Sequence, residues 1–141
     1  MSKEKQLKEL KTKVKDADSK DKRRAIVSAF YKIIRNGMEI KVHNIELGKD
    51  ISINAKSERK TISRAGKDTT STLAVFELLE IMKNATVVKD NLPPKKKTEK
   101  QKTFEKLIEM SCVVVGLGEV KLMVAVDGIG KHIQYSLSAV E

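Results

Sequence analysis

The side chains best suited to proton chemistry lie in the closing stretch GKHIQYSLSAVE, which carries His132 and Tyr135. Imidazole titrates near neutral pH, so histidine is the readiest general acid or base. The chain has one other histidine, His43 in MEIKVHNIEL, and spacing alone gives neither a partner. Cations that can hold a phosphate cluster at Lys56, Arg59, Lys60 and Arg64 in AKSERKTISRAGK. Lys95, Lys96 and Lys97 form a second run in LPPKKKTEKQK, and Lys121 lies in EVKLMVAV. Other chemistries lack their residues. A single cysteine, Cys112 in MSCVVVGLG, precludes an internal disulfide and a cysteine-based zinc cage, and reads as a buried structural thiol. P-loop, HExxH, CxxC and Ser-His-Asp spacings are absent, and GLGEV lacks the strand–loop–helix setting of a nucleotide site. No metal and no cofactor is expected.

The composition narrows the partner. The 141 residues carry a net charge of +10, in local runs. Residues 1–35 hold 12 Lys/Arg against 5 Asp/Glu, and PPKKKTEKQK holds 5 lysines against 1 glutamate. Basic runs of this kind point to a polyanion, most simply nucleic acid or a nucleoprotein complex, with an acidic protein surface or membrane headgroups as the alternatives. Aromatics are 4% and Trp is absent, so the core must be aliphatic. No apolar run reaches the ~18 residues of a membrane span, and the charged start has no signal-peptide core. The expected setting is therefore the cytoplasm of a host cell. The charged start at Met1 reads as a free-standing gene product.

Periodicity sets out the elements that must position these residues. KEKQLKELKTKVK places Leu7, Leu10 and Val14 on one thin stripe of a basic helix or arm over residues 1–18. Residues 19–141 are expected to form a single α+β domain. DKRRAIVSAFYKIIRNG predicts a firm helix stopped at Asn36-Gly37. MEIKVHNIEL and GKDISIN switch to a period of two and predict a hairpin. AKSERKTISRAGKDTTS reads as a short helical turn and a loop. TSTLAVFELLEIMKNA predicts one long helix with Val75, Phe76, Leu79 and Met82 inward. TVVKD is a short strand, LPPKKKTEKQK an exposed linker, and TFEKLIEMSCVVVGLG starts helical before becoming a strand. EVKLMVAV and the closing stretch are strands. The fold class is α+β: N-terminal helices, then a mostly antiparallel sheet with one long helix on one face and a polar, open second face. In the last strand, the period puts Ile133, Tyr135 and Leu137 toward the core. It leaves His132, Gln134 and Ser136, with Lys121, on the open face. On that count His132 and Tyr135 cannot work as a pair, and a bulge between them would reverse the assignment.

The series INAKSERKTISRAGK, LEIMKNATVV and GKHIQYSLSAVE, over about residues 40–141, resembles a phage-associated group. These are the large polyvalent protein-associated domains and their kin in the barnase–EndoU–colicin–RelE nuclease superfamily. Lys60 and Thr61 match the family's basic turn, Asn84 and Ala85 its helix-end pair, and Ser136 and Leu137 its terminal Ser-Leu. The resemblance implies metal-independent attack on RNA by a toxin of a phage or mobile element. His132 would be the catalytic candidate, and the cations of the basic turn would hold the phosphate. Many relatives have histidine directly before Ser-Leu, where this chain has Tyr135. Two expectations follow. One is a metal-independent endoribonuclease-like protein acting on RNA. The other is a non-catalytic binder that inhibits a host defence nucleoprotein, for example an anti-CRISPR protein.

Overall fold

The computed structural model describes residues 2–93 and 104–140. Five α-helices and six strands lie within them: α1 (Lys3–Thr12), α2 (Lys20–Arg35), β1 (Ile40–Asn44), β2 (Lys49–Ile53), α3 (Ala55–Ala65), α4 (Thr69–Val75), α5 (Leu78–Asn84), β3 (Thr86–Leu92), β4 (Phe104–Val114), β5 (Gly118–Asp127) and β6 (His132–Ala139). The α+β class holds.

Local chemistry accounts for the helix starts. Ser2, Ser19, Asn54 and Asp68 each accept a backbone N–H from the first turn of α1, α2, α3 and α4. In α3 the Ser57 hydroxyl answers the Asn54 backbone N–H, completing a reciprocal cap. α2 ends at Asn36, whose left-handed backbone (φ 47°) an asparagine tolerates.

The sheet runs β1-β2-β6-β5-β4-β3. It is mixed rather than antiparallel throughout, because β2 and β6 pair in parallel at Ile51–His132 and Ser52–Ile133. β2 then stops, and α3 and α4 cover the edge of β6 that it leaves. The Ala139 N–H, without a strand partner on that edge, donates to Ser71 Oγ of α4 at 2.9 Å. Asn44, fully buried, ties the β1–β2 turn to α5: its amide donates to the Met82 and Ala85 carbonyls, and its oxygen accepts the Leu47 N–H.

Three expectations need correction. The single long helix is two, α4 and α5. The N–H groups of Phe76 and Glu77 reach back three residues instead of four, which tightens the chain and shifts its phase. Leu78 and Ile81 are therefore buried, while Leu79 is 42% exposed. The supposed turn and loop at residues 55–65 is the helix α3. TFEKLIEM is strand from Phe104 onward, because both neighbours β3 and β5 pair with it. Leu10 and Val14 pack into the same core as Phe30, Tyr31, Val75, Ile81 and Leu122.

Candidate nucleic-acid interface

α3 organises the cations. Its buried residues are Ser57, Thr61 and Ala65, four apart, so one narrow stripe of small side chains lies against the core and β6. Lys56, Arg59, Lys60 and Arg64 are left exposed. None of the four forms an ion pair among the described residues. Glu58, the one acid of the helix, is committed to Arg35 of α2. The helix thus presents uncompensated positive charge to solvent.

The closing strand supplies the second part. Directly opposed residues of neighbouring strands share a face. Val120, Leu122, Val124 and Val126 of β5 lie in the core, and they oppose Ala139, Leu137, Gln134 and His132. From Leu122 to Val124 β5 advances two residues, while β6 advances three. Tyr135 is the extra residue, and this bulge reverses the expected faces. Gln134, expected on the open face, is fully buried between Tyr31 and Thr61. Its Oε1 accepts the Tyr31 hydroxyl at 2.6 Å, and its Nε2 donates to Thr61 Oγ1 at 2.8 Å. Burial holds the Tyr31 phenol well above its ordinary range, against the smaller opposing effect of these hydrogen bonds.

Tyr135, expected in the core, lies outside it. Its ring meets Phe104 edge-on, with centroids 5.7 Å apart and planes at 85°. Lys60 Nζ sits 5.8 Å from the Tyr135 ring centroid, and Lys56 Nζ sits 5.2 Å from that of Phe104. Phe104 opposes Asp127, which shares a face with Ala125. The aromatic pair therefore lies on the sheet face away from the core. Ser136 and Lys121 are on that face too, opposing Met123 and Ser138, but Ser136 is buried there and not open to solvent as expected.

His132 is elsewhere. It opposes Val126, which opposes Lys106, so it belongs to the end of the core-side face. Its Nδ1 lies 2.9 Å from the Gly130 carbonyl, an acceptor, so Nδ1 carries the proton and Nε2 is left with the lone pair in the neutral ring. Lys106 in the same row is paired with Asp90 at 3.1 Å. That hydrogen bond leads the causes that hold the Asp90 carboxyl below its usual range. His43 is remote from both regions, paired across the β1–β2 hairpin with Asp50 at 2.9 Å.

Of the candidate residues, Lys56, Arg59, Lys60 and Arg64 share one helix. Lys121 shares the sheet face of the aromatic pair, while His132 lies on the opposite face. Lys95, Lys96 and Lys97 fall outside the described residues. Phe104 was not singled out from the sequence, since nothing in KTFEKL marks it except its nearness to the lysine run. Cys112, expected to be buried, is only partly so; that partial burial pushes its thiol up. No group of three or more His, Cys, Asp or Glu side chains suited to a metal occurs among the described residues. No helix among them is long and apolar enough to cross a membrane.

The family model of large polyvalent protein-associated domain 3 matches residues 17–133, most of the chain. The chain belongs to this family. The matched stretch of this large polyvalent protein-associated domain takes in α2, α3 and β1 to β5. It ends at Ile133, just before Gln134 and the bulged Tyr135. No curated protein and no solved structure matches the chain.

Proposed function

We propose that this large polyvalent protein-associated domain binds RNA, alone or within a host nucleoprotein, without cutting it. The observation that carries this reading is the set of four exposed cations on α3, none of them in an ion pair among the described residues. Proteins normally offset clustered charge with neighbouring acids, and phosphate is the partner such a surface favours. The separation of parts argues against cleavage. Scission needs a base, an acid and a cation to stabilise charge at one phosphate. Here the base candidate His132 lies on the core-side face while Lys56 and Lys60 of α3 reach the rings of the other face, and Lys106 beside His132 is neutralised by Asp90. A binder of this kind would inhibit a defence nucleoprotein by occupying its RNA or its nucleic-acid path.

One observation favours a second reading. When the ring is neutral, the Nδ1–H bond to Gly130 leaves the lone pair a general base requires on Nε2 of His132, so a metal-independent endoribonuclease of the nuclease superfamily is the alternative.

One experiment separates them. The protein is incubated with transfer RNA and small structured RNAs in EDTA, and binding is followed across a salt series. The binding reading expects intact RNA and a log–log salt slope of about −2 to −3, from four contacts at about 0.7 each on a single strand. Fragments that vanish in His132→Ala would establish the alternative. A flat salt response would instead point to a protein partner.

A further inference from the structure

The chain has five aromatic residues. Three of them lie on the helix side of the sheet, where Phe30 packs edge-on against both Tyr31 and Phe76. The remaining two, Phe104 and Tyr135, form a pair on the other face of the sheet, each only partly buried. A backbone bulge brings Tyr135 there, and the strand position of Phe104 brings its ring to the same spot. Lys56 Nζ lies over the Phe104 ring and Lys60 Nζ over the Tyr135 ring, at centroid distances near the outer limit of a useful cation–π contact.

We propose that the Phe104–Tyr135 pair is a stacking platform for an unpaired nucleobase, making the domain selective for single-stranded over duplex nucleic acid. The inference rests on the nucleic-acid reading above and adds the substrate class. Rings flanked by cations are how proteins hold single strands without reading their sequence: the π-face takes any base, and the cations track the backbone. An exposed cation–π contact is weaker than the stacking of a base on a ring, so a base displaces the lysine ends. The freed ammonium groups of Lys56 and Lys60, one helical turn apart on α3, then meet the phosphates flanking that base. A duplex keeps its bases stacked inside and offers the site phosphates alone.

The test compares fluorescent oligonucleotides of about 12 nucleotides, a length within the range one such module covers. Oligo-uridine RNA and oligo-thymidine DNA are set against RNA and DNA duplexes of equal length at one salt concentration. Single strands of either sugar are expected to bind about tenfold tighter than the matching duplex. Tyr135→Leu and Phe104→Leu are each expected to bring that ratio to within about twofold. Since either variant can perturb the sheet, a second measurement uses the unaltered sequence labelled with 3-fluorotyrosine. The two fluorine resonances belong to Tyr31 and Tyr135, and Tyr135→Phe identifies the second. Single strands should shift the Tyr135 resonance, and duplex should not. Equal affinity for both forms with an unmoved Tyr135 resonance would overturn the platform and leave the nucleic-acid reading intact. Failure to bind any of the four would overturn both.

Discussion

Gln134→Ala is expected to destabilise the fold by about 3–5 kcal/mol, combining a core cavity with lost hydrogen-bond partners. Gln134 answers two hydroxyls inside the protein, accepting from Tyr31 and donating to Thr61. All three residues are almost wholly shielded from water. Alanine leaves both hydroxyls without this partner, at about 1–3 kcal/mol for each buried group left unsatisfied. Urea unfolding followed by circular dichroism reads the change as a lower midpoint at unchanged slope. The triple variant Tyr31→Phe/Thr61→Val/Gln134→Leu removes every polar member, and should recover most of the loss. If Gln134→Ala stays within about 1 kcal/mol of the parent, the network does not hold the helices to the sheet. The same network sets a limit at alkaline pH. The folded Tyr31 phenol is raised, so its neutral form is the one the fold favours. Its contribution is complete below the ordinary phenol range of about 10. Above that, the unfolded chain ionises and the folded one does not, so stability falls as pH rises.

The second large effect is on binding. Replacing Lys56, Arg59, Lys60 and Arg64 together by glutamine is expected to weaken RNA binding by about a hundredfold near 0.1 M salt. The salt slope should shrink by about 3, because four phosphate contacts go. The four side chains are exposed and form no ion pair among the described residues, so the thermal midpoint should move by only a few degrees. Net charge alone also weakens binding, and a control isolates position. Lys5, Lys8, Lys13 and Lys15, exposed in and after α1, are replaced by glutamine to reach the same net charge. If this control loses as much affinity as the α3 variant, the basic surface acts through total charge and α3 is not the interface.

The two predictions fall on elements that the sequence revealed unequally. α2 was plain, since its apolar residues recur at helical spacing between a serine cap and an Asn-Gly stop. α3 was not. Its inward stripe is Ser57, Thr61 and Ala65, and small or polar residues leave no hydrophobic period even when fully buried. They are buried because β2 ends at Ile53 and α3 takes up the β6 edge closely, which is a matter of topology. The cations of α3 were nevertheless visible, because charge clustering needs no knowledge of secondary structure. The long helix over residues 70–84 was legible as helical but not as two helices. No proline or glycine marks the tightened turn at Phe76 and Glu77, and the buried set changed with it.

The amino-acid sequence by itself determined the α+β class, the aliphatic core, the excess and clustering of positive charge, and membership of the polyvalent protein-associated group. Each is written in residue type or short-range spacing. Only the tertiary structure decided which way the last strand faces. A strand's faces are set by counting residues from a register point, and one extra residue inverts the count without changing composition. That residue is Tyr135. Its insertion turns Gln134 inward to bind Tyr31 and Thr61, and places Tyr135 on the outer face. There it meets Phe104, 31 positions away in sequence, beneath the lysines of α3.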